Sequence, residues 1–277
     1  MNITAQDVKR LREHTGVGMM DCKRALQEAD GDFEKAIDLL RKQGQKVAAK
    51  RADREAIEGV VAVATADDML TGVIVEVNSE TDFVARNEEF TSFADRTAAV
   101  ALENRPADRA ALLALDFDGG RTVEQAITDL TGKIGEKIDV RRIAVIETTN
   151  GGQVVGYVHP GSKLGVLVEL SGSGDLQTAG RDVAMQAAAM NPIAVTRDDV
   201  PADVQEKEME IGREAARNDG KPEHILEKIA TGKLERYFKD NVLVEQPFVK
   251  DSSMSVKQML QNADAELKQF VRFALGD

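Results

Sequence analysis

Apolar positions recur at two different periods along this chain, and the switches between them mark out its elements. Through the first 44 residues the spacing is helical. Thr4, with Asp7 three positions later, predicts a capping-box start, and Val8 and Leu11 form one apolar face. The Thr15-Gly16-Val17-Gly18 turn precedes a second helix with Cys22, Ala25 and Leu26 inward. Asp32 caps a third, where Phe33, Ala36, Leu39 and Leu40 share a face and Gly44 reads as the C-cap. From Ile57 the period drops to two. Gly59 to Val63 and Gly72 to Val77 flank an Asp67-Asp68 turn and predict a β-hairpin. Helical spacing returns from about Asn87 to Leu102, ends at Pro106, and resumes after Thr122 as far as about Lys137. A second hairpin is then expected, among strands at Val140 to Ile146, Val154 to His159 and Leu164 to Leu170.

Residues 201–239 carry no strand signal. Two helical runs meet at Asn218-Asp219-Gly220-Lys221-Pro222, one lined by Val204, Ile211 and Ala215, the other by Ile225, Ile229 and Tyr237. They predict an inserted antiparallel helical hairpin. Ser255 caps a short helix through Met259 and Leu260, and Leu267, Val271, Phe273 and Leu275 alternate as a final strand. The segments Gly72-Val-Ile-Val-Glu-Val and Gly165-Val-Leu-Val-Glu-Leu match in pattern, and a helix follows each. The expected fold class is therefore α+β. A three-helix unit with the pattern of a ubiquitin-associated-like bundle leads into a duplicated α+β core with antiparallel sheets. The expected domains are 1–55, a helical docking unit with a basic linker; 56–139, a first core subdomain; and 140–277, a second, with the hairpin inserted at about 196–239.

Composition narrows the function. With 277 residues and 42% apolar content the chain supports more than one core, and 4% aromatics without Trp suits aliphatic, helix-rich packing. A net charge of −12 argues against nucleic-acid binding, which needs clustered Lys and Arg. No run of apolar residues is long enough to span a membrane, and no basic segment followed by an apolar run opens the chain. Cys22 is the single cysteine and has no internal disulfide partner, so a reducing cytoplasmic location is expected. Against this acidic background Arg41, Lys42, Lys46, Lys50, Arg51 and Arg54 stand out, either as a solvated linker helix or as a contact for an acidic partner surface.

The sequence lacks any familiar catalytic constellation. Gly132-Lys133, Gly220-Lys221 and Gly232-Lys233 lack the rest of a phosphate loop. His14, His159 and His224 stand apart with no second metal ligand at a suitable spacing. Gly172-Ser173-Gly174 is not a nucleophile elbow. The expectation is a protein that is not an enzyme and carries no metal or cofactor. One surface loop, Asn78 to Asn87, remains. Within it Thr81 or Asp82 caps a turn while Phe83 tucks into the local core. Alternatively, Phe83 faces outward as a wedge for a groove on a partner, beside the Asp82 carboxylate, which can disturb hydrogen bonds around a bound magnesium ion.

Two runs resemble signatures of the elongation factor Ts family. They are Val8-Lys-Arg-Leu-Arg12-Glu-His-Thr15-Gly-Val-Gly18-Met-Met-Asp-Cys22-Lys-Arg-Ala-Leu26 and Glu76-Val-Asn-Ser-Glu-Thr81-Asp-Phe-Val-Ala-Arg86-Asn. Weaker agreements follow at His159-Pro-Gly-Ser-Lys-Leu-Gly165-Val-Leu-Val and Glu245-Gln-Pro-Phe248-Val-Lys-Asp. The resemblance implies a guanine-nucleotide exchange factor that grips the GTPase domain of elongation factor Tu. It implies that Thr81, Asp82, Phe83 and Val84 form the exchange loop, with Asp82 and Phe83 intruding near the partner's magnesium site. Arg12, Met19 and Met20 would dock the N-terminal unit, although ordinary core packing also accounts for the two methionines. His159 would contact the partner from the second subdomain, or simply fill a turn. The helical hairpin is similar to the family's coiled-coil dimerisation module, so it either pairs two copies of the chain or only braces the complex. Some members continue with a further helix past the final strand, where this sequence reads Ala274-Leu275-Gly276-Asp277; the core mechanism is not expected to need it.

Overall fold

The computed structural model describes residues 3–149 and 151–277. It is a mixed α+β fold that divides into two compact units. The first comprises Met1–Ala62, Val75–Ala144 and Ala274–Asp277; the second comprises Val63–Ile74 and Val145–Phe273.

In the first unit, α1 (Ala5–Thr15) opens with the Thr4/Asp7 capping box and closes on Gly16 in the left-handed region. After it come α2 (Met19–Glu28) and α3 (Phe33–Arg51), the latter capped by the Asp32 side chain. Val8, Leu11, Cys22, Leu26, Ala36 and Leu40 close a small core among the three helices. The helix α3 does not stop at Gly44, as its sequence suggested, but runs on to Arg51. Its partner explains this glycine: a Cβ on Gly132 would come within 2.4 Å of the Gly44 Cα, so Gly44 serves a helix crossing, not a cap.

The long strands β1 (Glu58–Thr65) and β2 (Thr71–Ser79) pass from one unit to the other along their length. One helical turn, α4 (Asp82–Ala85), and then α5 (Glu88–Asn104), α6 (Arg109–Ala114) and α7 (Val123–Ile134) lead to β3 (Asp139–Glu147). The helix α5 buries Phe90, Phe93, Ala94, Ala98 and Ala101, and α7 buries Val123, Ala126 and Leu130. Sequence periodicity missed α4 and α6, each too short to repeat a pattern. It also overran α7, which Gly135 ends in the left-handed region. The second hairpin is formed by the two strands after β3. The strand β3 joins the first sheet, of order β1-β2-β3.

The second sheet has the order β4-β5-β8, from β4 (Gly152–Val158), β5 (Leu164–Gly172) and β8 (Ala265–Ala274). The β4 and β5 strands pair antiparallel, with Val155 opposite Val168. On this sheet lies α8 (Leu176–Met190), whose Gly180 sits so close to Val155 that a Cβ would fall 2.6 Å from its Cγ2. Two helices follow, α9 (Ala202–Asn218) and α10 (Glu223–Asn241). Gly212 lies against Ala230, Arg213 pairs with Glu227 and Arg217 with Glu223, so positions rise along one helix as they fall along the other. The buried seam is Gly212, Ala216, Leu226, Ala230 and Phe238. It is thus one residue on from the large apolar stripe read from the sequence, and Ile211 is exposed. Small residues let the two backbones approach, which a count of large apolar residues does not register. The short strands β6 (Pro247–Phe248) and β7 (Asp251–Ser255), which carried no sequence signal, pair before α11 (Val256–Asn262).

Candidate functional site

The strand β2 delivers the chain to its most exposed aromatic residue. Every position of β2 is buried, including the polar residues Glu76, Asn78 and Ser79. The Arg142 Nε donates to a Glu76 oxygen at 2.6 Å, and Asn78 Nδ2 donates to the other at 3.1 Å, so the buried carboxylate is paired from two sides. Beyond the strand, Ser79 Oγ donates to the Thr81 carbonyl at 2.9 Å. Thr81 then caps α4, its hydroxyl accepting from the Val84 N–H at 3.4 Å. Ala85 is buried and anchors the turn from beneath.

Phe83 points the other way and is 83% exposed. Of the two orientations left open by the sequence, the ring takes the outward one. An isolated apolar side chain at the surface is commonplace, but a phenylalanine left in water forgoes about 1.5–3 kcal/mol of burial. Here it does so on a turn whose backbone is closely held. Beside it Asp82 pairs with Arg86 at 2.9 Å, an exposed bond that is easily exchanged for another partner.

Arg12, Met19 and Met20 flank a single turn. The Thr15 hydroxyl donates to the Leu11 carbonyl at 2.8 Å, and the buried Cys22 thiol donates to the Val17 carbonyl at 3.4 Å. Burial pushes the Cys22 thiol up from its ordinary range, which keeps it protonated as a donor. Arg12 is exposed, and Met19 and Met20 are 52% and 64% exposed, so neither methionine fills the core. His159 belongs to the second unit. It is exposed in the tight turn between β4 and β5, with its Nδ1 2.9 Å from the Tyr157 hydroxyl. Thr81 to Val84, Arg12, Met19 and Met20 all lie in the first unit.

Among the described residues, no three His, Cys, Asp or Glu side chains gather as a metal site, and no helix is long and apolar enough to cross a membrane. The polar side chains around Phe83 hold backbone in place, and none is poised as a nucleophile beside a base.

A family model described as elongation factor TS matches residues 80–277, beginning at the turn that carries Phe83. The elongation factor Ts of Chloroherpeton thalassium is 51% identical over 286 aligned positions that cover 99% of each chain. The chain belongs to the elongation factor Ts family. The elongation factor Ts of Cytophaga hutchinsonii is 49% identical, again over 99% of each chain. That of Clostridioides difficile is 47% identical, over all of this chain and 93% of its own length. The full-length match to elongation factor Ts proteins therefore includes α1 to α3, which the family model does not reach.

The sequence singles out Phe83 and its neighbours as candidates but carries little sign of what holds them. Glu136 accepts from both the N–H and the hydroxyl of Thr81, from 55 positions away. Arg51 counted only as one of six basic residues, yet it is bonded to both oxygens of Glu80. A glycine C-cap at Gly135 was the one available hint that Glu136 turns back on the core.

Proposed function

We propose that this chain is the guanine-nucleotide exchange factor for elongation factor Tu in translation elongation, working in the cytoplasm. It binds the GDP form, promotes GDP release by disturbing the magnesium and phosphate site, and so allows GTP to reload. The observation that carries this reading is Phe83, 83% exposed beside Asp82 on a braced one-turn helix. In this reading α1 to α3 are a ubiquitin-associated-like docking domain (1–55) that contacts the partner through Arg12, Met19 and Met20. Residues 56–139 and 140–277 are the two halves of a duplicated core. His159 adds a contact from the second half, and α9 with α10 is a coiled-coil hairpin through which two copies can pair.

No covalent step is required, so the chain acts without being an enzyme. A factor that prefers the nucleotide-free partner must, by linkage, weaken GDP by the same factor. Moving a two-state population from 1:99 to 99:1 takes about 5.5 kcal/mol of differential affinity. Burying one phenylalanine supplies roughly 1.5–3 kcal/mol. Phe83 alone is therefore insufficient, and the docking and core contacts share the load.

Release of a fluorescent GDP analogue from elongation factor Tu tests this. Substoichiometric chain should accelerate release, and Asp82→Ala/Phe83→Ala should be much weaker without being inert. Complex formation with no acceleration would leave a plain binding adaptor instead.

A further inference from the structure

The turn that carries Phe83 is joined to the turn after α7 by two carboxylates that cross in opposite directions. Glu136 reaches toward residue 81: its Oε2 accepts from the Thr81 N–H at 3.0 Å and its Oε1 from the Thr81 hydroxyl at 2.8 Å. Glu80 reaches back toward residue 137: its Oε1 accepts from the Lys137 N–H at 2.7 Å. The clasp is reciprocal. Adjacent residues on each turn supply one carboxylate and one backbone donor. Arg51, at the end of α3, locks the Glu80 side, with Nη1 3.1 and 2.9 Å from the two oxygens. Lys137 closes the same corner by donating from Nζ to the carbonyls of Ala52 and Arg54 at 2.7 and 3.0 Å.

These bonds bear on the site through one residue, Thr81. The Thr81 hydroxyl donates to Glu136 and accepts from the Val84 N–H, so it is the N-cap of α4 and the anchor of the clasp together. Fixing the hydroxyl's direction fixes which lone pair faces Val84, and with it the direction in which the first turn of α4 leaves β2. Phe83 lies inside that turn and contributes little to its own placement, being almost wholly in water. A wedge must enter its groove against resistance, and a four-residue helix with one buried side chain cannot supply that stiffness itself.

We infer that Glu136 is a positioning residue for nucleotide exchange, acting through Thr81 to hold α4 and Phe83 at the angle at which the ring enters the partner. The inference rests on the proposed role of the α4 turn. It assigns no partner contact to Glu136 itself. Its loss should therefore lower the rate reached at saturation and leave the affinity of docking nearly alone.

The test uses the full chain and release of a fluorescent GDP analogue from elongation factor Tu, with maximal rate and half-saturating concentration measured separately. Glu136→Ala removes two hydrogen bonds to a charged group and is expected to cut the maximal rate about tenfold or more. The half-saturating concentration should stay within about twofold, and Glu136→Gln, which keeps one acceptor oxygen, should recover part of the loss. In a Phe83→Ala background, Glu136→Ala should add almost nothing, because the two act through one element. If Phe83→Ala is impaired while Glu136→Ala and Glu136→Gln match the parent chain, the positioning role is overturned and the exchange reading stands. Equal losses in the presence and absence of Phe83 would overturn it too, since a general weakening of the fold acts in both backgrounds. If Phe83→Ala itself exchanges at the full rate, the reading of the turn has failed and the positioning role with it.

Discussion

Glu76 shows how much a single residue can commit. Its side chain is fully buried, and Arg142, still 30% exposed, is bonded to it at 2.6 Å. Removing one partner of a buried pair strands the other, at a cost of about 3–5 kcal/mol. Asn78 and Arg141, whose Nη1 is 3.6 Å from the other Glu76 oxygen, still face the carboxylate, and Arg142 is partly exposed. Arg142→Ala should therefore cost no more than the low end of that range, about 3 kcal/mol, readable as a shift in the denaturant midpoint. At the surface the carboxylates of the helix caps behave differently. Asp7 lies below the usual carboxylate range chiefly because the Thr4 hydroxyl donates to it, and Asp32 chiefly because the Lys35 N–H does. A depressed folded-state pKa contributes stability that is complete above the unfolded value of about 3.9 and is lost as pH falls through the folded value. Titration of the two carboxylates by NMR should give midpoints below that of an unfolded peptide. Midpoints at the peptide value would mean that neither cap holds in solution.

At the scale of elements, the crossing of α3 and α7 makes a sharp prediction. Alanine in place of glycine in a helix gains about 1 kcal/mol of propensity. At Gly132 the new Cβ would meet the Gly44 backbone at 2.4 Å, and backbone cannot swing aside as a long side chain does. Overpacking of this kind costs roughly 1–3 kcal/mol, so the clash wins and Gly132→Ala should lower the melting temperature. An unchanged or higher melting temperature would show that the helices separate without penalty. The same crossing shows where sequence reading stops. Caps such as Thr4, Asp32, Thr122 and Ser255 were legible because each bonds within three residues of itself. Strands were legible from their alternation. Gly44 was misread because its reason lies on another helix, 88 positions on by the difference of 132 and 44. The seam of α9 and α10 was misplaced because Gly212 and Ala230 matter for being small. Phe83 could be singled out from its motif, but its bracing could not, since Glu136, Glu80 and Arg51 meet only in space.

For the whole molecule, linkage binds two measurable ratios. If exchange works as proposed, the factor by which the chain prefers nucleotide-free over GDP-bound elongation factor Tu equals the factor by which it weakens GDP. Calorimetry on the two partner forms, set against GDP affinity with and without the chain, should agree within error. A mismatch would require a further bound state. Phe83→Ala should shrink both ratios together.

The first unit draws its membership from distant parts of the chain. Arg142 Nη2 donates at 2.9 Å to the carbonyl of Ala274, 132 positions later, and Arg141 Nη2 donates at 2.8 Å to that of Asp277. During synthesis, the helices that begin this unit leave the ribosome long before the residues that complete it. At elongation rates of about 5–20 residues per second the interval is on the order of 10–45 seconds. Once it is made, Arg142 can hold Glu76, but the Ala274 carbonyl that it also serves follows 132 positions later. The first unit is therefore closed only after every residue of the second has been translated.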